Sequence, residues 1–432
     1  MNICMFTNTY LPHVGGVARS VHFFAEDLRR MGHRVMIVAP TFPETEDPEI
    51  DETEVLRVPA IQNFNGSDFS VRIAQPFLID EAIDEMAPDT IHSHHPFLLG
   101  DAAMRAAHRR KLPLVFTHHT RYEDYTHYVG SGSETMRRFA IRLSTDYANL
   151  CDRIVAPSRS IAELLAERGV RTPMTEIPTG VDTEFFASGN GERFREIRDI
   201  PADAAVVGHL GRLAPEKNLE YLARAVRDAV ADRPDARFLV VGEGPAGDTL
   251  SEIFSEAGLA DRLRTTGNLS GTDLADAYAA MDLFAFASKT ETQGMVLTEA
   301  MAAGRPVVAL DAPGAREVVR DRENGRLLAG DADEAAFARA LGELLDDPDA
   351  RRRMEAAVRE TAEDFSRERC ARRMADLYAG LTRERALWAS PEKEAWSGFD
   401  GWDDLIRAAE LEWELLAGKA NAAVQAVLNE EE

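Results

Sequence analysis

NICMFTNTYLPHVGGVARSVHFFAEDLRRMGHRVMIVA, residues 2–39, reads as strand, loop, helix and strand. Residues 2–7 form an apolar run, and a loop leads to Gly16. Val17, Val21, Phe24, Leu28 and Met31 then follow at alternating spacings of four and three, which places them on one helical face. Gly32 supplies the stop signal, and residues 34–39 make a second apolar run. Two strands joined through a helix run parallel. Further short apolar runs at 54–58, 90–93, 114–117, 153–156 and 175–177 alternate with helical stretches and extend the parallel sheet.

The pattern changes after Phe186, where residues 188–192 are rich in Gly, Asn and Glu. A second α/β series starts near Ala204, with strands expected at 205–210, 237–241, 263–265, 283–287 and 307–310. Pro201 lies near the join. A chain of 432 residues exceeds one ordinary core, so two doubly wound domains are expected. Their bounds read as 1–198 and 199–384, followed by a helical segment, 385–432. All four tryptophans (Trp388, Trp396, Trp402, Trp413) lie in that last segment, and Trp402, Leu405, Ala409, Trp413 and Leu416 share one helical face. Such a face must be covered, and packing back on the first domain is the expectation.

Net charge is −25, and an acidic chain repels phosphate backbones, so nucleic acid is excluded as a general partner. No apolar run reaches the ~18 residues of a membrane span, and apolar strand residues follow Met1 and Asn2 without a basic leader, so a cytoplasmic chain is expected. Cys4, Cys151 and Cys370 are too far apart for a CxxC metal site and read as buried hydrophobes. Only Lys111, Lys217, Lys289, Lys393 and Lys419 are lysines, against 49 basic residues in all. This fits either a salty cytoplasm or an arginine-preferring genome.

The chemistry is expected at the carboxyl edge of the second sheet. Glu291-Thr-Gln-Gly294-Met295-Val296-Leu-Thr-Glu299 follows a strand and opens a helix. A glycine at a helix start leaves backbone N–H groups and the positive dipole end for an anion such as a diphosphate. Glu299, deeper in the helix, suits ribose hydroxyls, and Glu291 suits a sugar beyond the phosphates. Gly211-Arg212-Leu-Ala-Pro-Glu-Lys217 follows the first strand of the same sheet. It brings two cations to that edge, where they can neutralise a departing diphosphate. Taken alone, each charge could be a solvated surface residue.

Four runs in order resemble family 4 glycosyltransferases over essentially the whole chain: VGHLGRLAPEKNLEYL (207–222), VVGEGPAGDTL (240–250), the Glu291-x7-Glu299 element, and AMAAGRPVVALDAPGAREVVRDRENGRLL (300–328). The resemblance implies the GT-B fold, two Rossmann-like domains facing across a cleft with the C-terminal helices crossing back. It further implies a nucleotide-sugar donor held by the C-terminal domain, retention of anomeric configuration, and no bound cofactor or metal. By position it assigns Arg212 and Lys217 to the diphosphate, Glu299 to the ribose, and Glu291 with Gly294, Met295 and Val296 to the sugar and phosphates. Gly242, in the second run, joins the donor set. Gly15 and Gly16 match the family's glycine loop, and His119 the histidine beside donor sugar and acceptor.

Gly242-Glu-Gly244-Pro-Ala-Gly247 has the form of a dinucleotide fingerprint. It lies off the first βαβ unit and lacks the acidic residue ending the next strand, which argues against NAD. His92, His94, His95, His118 and His119 end two neighbouring strands, but no acidic or cysteine ligand has spacing to complete a zinc site. On the acceptor side, residues 119–128 resemble bacterial diacylglycerol α-glucosyltransferases, which implies UDP-glucose, a lipid acceptor, and Tyr122, Asp124, Tyr125 and His127 near it. Residues 136–143 form a short basic amphipathic helix suited to peripheral contact with the cytoplasmic membrane face. The alternatives are GDP-mannose as donor, a soluble sugar, glycerate or polyol acceptor, and, in another class, a sugar-nucleotide epimerase or phosphorylase.

Overall fold

The computed structural model describes residues 1–12, 15–41, 54–61, 71–72, 76–124, 133–388 and 419. The chain divides into two compact units: Met1–Pro178 with the described residues from Cys370 onward, and Thr179–Arg369.

Unit 1 contains, in chain order, β1 (Asn2–Phe6), α1 (Gly16–Arg30), β2 (Arg34–Pro40), β3 (Val55–Val58), β4 (Ala60–Ile61), β5 (Val71–Arg72), α2 (Pro76–Met86), β6 (Thr90–Ser93), α3 (Leu99–Arg110), β7 (Leu114–Thr117), α4 (Glu134–Asn149), β8 (Arg153–Ala156), α5 (Arg159–Glu167) and β9 (Met174–Glu176). Its main sheet has the order β3-β2-β1-β6-β7-β8-β9, with each neighbouring pair parallel. Both faces are covered, as an all-parallel sheet requires. In β1, Cys4 and Phe6 join the core under α3, while Ile3 and Met5 join Val21, Phe24 and Leu28 of α1. The register sets Phe6 beside Ser93 and Ser93 beside Phe116. The residues that follow these three therefore leave the sheet at one edge.

Unit 2 contains α6 (Thr183–Ala187), α7 (Gly191–Ile197), β10 (Ala205–Leu210), α8 (Leu219–Ala231), β11 (Ala236–Val241), α9 (Gly247–Glu256), β12 (Leu263–Thr265), α10 (Gly271–Ala279), β13 (Leu283–Phe286), α11 (Met295–Ala302), β14 (Val307–Leu310), β15 (Gly325–Leu328), α12 (Glu334–Asp346) and α13 (Pro348–Asp364). The strand order is β12-β11-β10-β13-β14-β15, again all parallel. A last helix, α14 (Arg367–Trp388), starts at the end of unit 2 and belongs to unit 1 from Cys370. Its Cys370, Met374, Tyr378 and Leu381 are buried with Ile3 and Met5, and Tyr378 Oη lies 2.5 Å from His92 Nδ1.

The units meet along the chain at 178/179 and 369/370, where the pattern of strands and helices suggests 198/199 and 384/385. The difference lies in residues 188–192, whose small polar composition reads as a junction and is in fact packed surface of unit 2. Phe186, Phe194 and Ile200 lie in that unit's core. A β-carbon on Gly189 or Gly191 would come within 2.2 Å of Ala275 O or 2.3 Å of Ala279 O, so these glycines allow the chain to lie against α10. Buried Asp276 accepts from Asn190 N at 2.6 Å and Arg193 Nε at 2.7 Å. The helical face from Trp402 to Leu416 lies outside the described residues. Lys419 is described, and its Nζ stands 2.6 Å from Asp101 Oδ2 of unit 1.

Gly191→Ala is expected to destabilise the chain by about 1–3 kcal/mol through overpacking against α10. Urea unfolding of the two proteins measures it, and equal midpoints would contradict the close packing.

Candidate functional site

In unit 2 the loops after β10 and β13 are tied together at the carboxyl edge of the sheet. Lys217 Nζ, in the short turn Pro215–Lys217, lies 2.5 Å from Glu291 Oε1. Thr290 Oγ1 donates to Glu216 O at 3.3 Å, and Asn218 Nδ2 to Ala287 O at 3.2 Å. Arg212 pairs with Glu216 and remains about half exposed. Glu291, 74 residues after Lys217, thus shares one loop system with Lys217 and Arg212.

Gly294 caps α11 with φ +72, a left-handed conformation that favours glycine. Being a glycine, it offers the helix start no side-chain cap. Met295 and Val296 are its first two residues, so the first N–H groups and the dipole end point out of the sheet edge beside the Lys217–Glu291 pair. Glu299 lies one turn further in, 2% exposed, and one of its oxygens accepts from Tyr278 Oη at 2.8 Å. Gln293 was not singled out from sequence. Its side-chain amide accepts from Thr179 N and donates to Thr179 O, both at 2.7 Å, which fixes the loop between Glu291 and Gly294 to the first residue of the unit. The signal is a buried-type amide between two candidate positions.

The glycine fingerprint has a packing explanation. A β-carbon at Gly242 would stand 2.0 Å from Gly211 O, and one at Gly244 2.4 Å from Leu213 O. Leu213 N donates to Glu243 O at 2.8 Å and Ala246 N to Leu213 O at 2.9 Å. The 242–247 loop is therefore a support under the Arg212 loop. His209, on β10, donates from Nδ1 to Ala285 O at 3.1 Å, and its buried Nε2 has no partner among the described residues. Burial lowers this imidazole to about 4, against the opposing effect of that backbone bond.

In unit 1 the edge after β6 and β7 collects imidazoles. His92 lies between Tyr378 Oη and Thr117 Oγ1 (2.7 Å), and His95 Nδ1 accepts from Asn8 N at 3.1 Å. His94 Nδ1 is 2.9 Å from His119 Nε2. His118 is fully buried, and neither ring nitrogen has a partner among the described residues. Burial lowers all five, His92 and His95 to about 3 and His118 to about 4. The group is a set of neutral rings. Among the described residues no three His, Cys, Asp or Glu side chains are grouped to hold a metal.

Tyr122 stacks edge-on with Phe97 and His118. Asp124 pairs with Arg121 at 3.2 Å and with Arg137 of α4 at 3.6 Å. Between them Glu123, 3% exposed, is bonded to Arg168 and Arg121. Burial raises its carboxyl, and the Arg168 bond and charge override this and hold it below the ordinary range. Tyr125 and His127 lie outside the described residues. Gly15 caps α1 without a side-chain bond, and a β-carbon on Gly16 would meet none of the described atoms within 4 Å.

Two family models match, Glycosyltransferase Family 4 over residues 14–185 and Glycosyl transferases group 1 over residues 190–361. A GDP-mannose-dependent alpha-mannosyltransferase of Mycolicibacterium smegmatis is 33% identical over 350 residues, 80% of this chain and 89% of that protein. The chain belongs to glycosyltransferase family 4. This family 4 enzyme, a hexosyltransferase, is also 29% identical to an alpha-monoglucosyldiacylglycerol synthase of Streptococcus pneumoniae over 385 residues, 88% of this chain and 85% of that one. Anabaena HepE in complex with UDP shares its fold with a TM-score of 0.71 at 21% identity, covering 88% of this chain and 100% of that one. The two parallel-sheet Rossmann-like units of the glycosyltransferase are those of the GT-B fold. No helix among its described residues is long and apolar enough to cross a membrane.

The buried imidazoles are expected to make the enzyme acid-sensitive. Their folded values lie below the ~6.5 of an unfolded histidine, so in that interval the unfolded chain binds more protons and stability falls as pH falls. His118 alone contributes a loss on the order of 2 kcal/mol between pH 7 and 5. His118→Phe, which keeps the ring and removes the titration, should flatten the dependence of the urea midpoint on pH; an unchanged slope would show that His118 does not titrate in this way.

Proposed function

We propose that this glycosyltransferase moves a hexose, with retention of anomeric configuration, from a nucleoside-diphosphate sugar to a hydroxyl acceptor. The preferred donor is UDP-glucose and the preferred acceptor a lipid of the diacylglycerol kind. The observation that carries the proposal is the Lys217–Glu291 pair beside the glycine-led start of α11. Lys217 and Arg212 neutralise the diphosphate as its charge grows, together with the α11 N–H groups of Met295 and Val296. Glu291 holds the donor sugar, and Glu299 the ribose. Gly242 supports the donor loop, Gly15 and Gly16 serve the diphosphate, and His119 serves the donor sugar and the acceptor hydroxyl. Tyr122 and Asp124, with Tyr125 and His127, form the acceptor side.

In the reaction the bond between the anomeric carbon and the phosphate oxygen breaks, and the acceptor oxygen forms its bond on the same face. The hydroxyl proton passes to the departing phosphate. The cations replace a metal as the source of positive charge in this scheme, so full turnover is expected in a chelator.

Likeness to the pneumococcal synthase supports a lipid acceptor. So does α4, whose Arg137, Arg138 and Arg142 accompany the part-exposed Met136, Phe139 and Leu143, a pattern suited to the cytoplasmic face of a membrane. A soluble sugar, glycerate or polyol acceptor is the second reading, favoured by the net charge of −25, which repels anionic lipid. GDP-mannose is the second donor, from the likeness to the mannosyltransferase.

A screen of UDP-glucose and GDP-mannose against diacylglycerol vesicles and soluble acceptors, with mass detection, tests the proposal. Hexosyl lipid from UDP-glucose is the expected product. Product only with soluble acceptors would replace the lipid assignment, and nucleotide release or sugar conversion without acceptor would indicate an epimerase. Lys217→Met and Glu291→Gln should each lower kcat by about 10²–10³ with unchanged melting; near-normal turnover would remove these residues from the site.

A further inference from the structure

His94 stands outside every assigned role. Its imidazole is fully buried, it follows β6 directly, and its Nδ1 lies 2.9 Å from Nε2 of the part-exposed His119. The ring centroids are 5.1 Å apart with 24° between planes, the side-by-side arrangement of an in-plane N–H···N bond, and the His92 ring centroid lies 4.1 Å from that of His94. Desolvation and the neighbouring imidazoles keep both rings neutral, so a single proton occupies the gap between the two nitrogens.

That proton has two places. If it belongs to His119 Nε2, then His94 carries its own proton on Nε2, an N–H that is buried with no partner among the described residues. If it belongs to His94 Nδ1, the orphan at His94 Nε2 is a bare lone pair, and His119 must carry its proton on Nδ1. Orphaned buried donors are rarer in folded proteins than under-satisfied acceptors. With the assignment of His119 to the donor sugar taken from the proposed function, we infer that His94 is a positioning residue. It donates from Nδ1 to His119 Nε2 and so makes His119 present an Nδ1–H donor to an oxygen of the sugar or the departing phosphate. His119 in this state is a neutral hydrogen-bond donor and holds no lone pair with which to take the acceptor's proton. The leaving phosphate must then accept that proton.

The test uses the full chain labelled with ¹⁵N-histidine, in long-range ¹H–¹⁵N spectra of the imidazole rings, with His119→Asn to assign the signal. The expected wild-type spectrum shows His119 protonated on Nδ1. His94→Leu should move His119 to the other tautomer or to a mixture, and lower kcat by about 10²-fold with little change in donor KM. His94→Asn, which places an amide N–H where Nδ1 stood, should restore both tautomer and turnover. A wild-type His119 protonated on Nε2 would overturn the inference, as would an unchanged tautomer in His94→Leu. Near-normal turnover of His119→Ala would instead overturn the role of His119, while the spectra would still decide what His94 does to it.

Discussion

Backbone lying directly on backbone is what holds the site-bearing edge of unit 2 together. The Arg212 loop rests on Gly242 and Gly244, and Gly314 lies against Glu291, Gln293 and Gly294 with no room for a β-carbon between them. Long polar side chains on such loops would otherwise sample many rotamers at considerable entropic cost. Here the main chain beneath Lys217 and Glu291 is already in place, so their 2.5 Å pair is formed by stiff supports. The amide of Gln293 closes the same assembly onto Thr179.

The two units present different electrostatic environments. The edge in unit 2 is ionic: Lys217 with Glu291, and Arg212 with Glu216, all part-exposed or exposed. The edge in unit 1 is neutral: five imidazoles stripped of charge by burial, four of them joined to hydroxyls, a backbone N–H or one another. Fixed positive charge of the first kind suits an anion, and under the proposed function it meets the diphosphate; uncharged rings of the second kind offer hydrogen-bond donors and acceptors of defined direction.

Much of this was legible in the order of residues. The spacing of Val17, Val21, Phe24, Leu28 and Met31 locates α1, and the strand runs locate most of both sheets, because parallel strands buried on two faces are apolar throughout. β15 was not read, since Gly325 and Arg326 dilute its apolar character. Gly325 is there because a β-carbon would fall 2.0 Å from Val307 O. The same cause disguised residues 188–192. A glycine that permits close approach and a glycine in a loose linker look alike in a string of letters. Glu291 and Glu299 stood out once Arg212 and Lys217 fell at the same sheet edge, and Gln293 and His94 needed coordinates, because their partners are distant in sequence.

The place of α14 has a consequence for how the chain is made. Residues 370–381 complete the apolar layer that Ile3, Met5, Val21 and Phe24 begin, so the unit that is started first is finished last. Unit 2 is contiguous and can close its core while the ribosome is still adding the final residues. Until then the part of the unit 1 sheet face which α1 leaves uncovered is open to the cell, a window in which chaperones or aggregation compete for it. The sequence separation between Tyr378 and His92 is thus a measure of how long biogenesis leaves the first half of the enzyme unsealed.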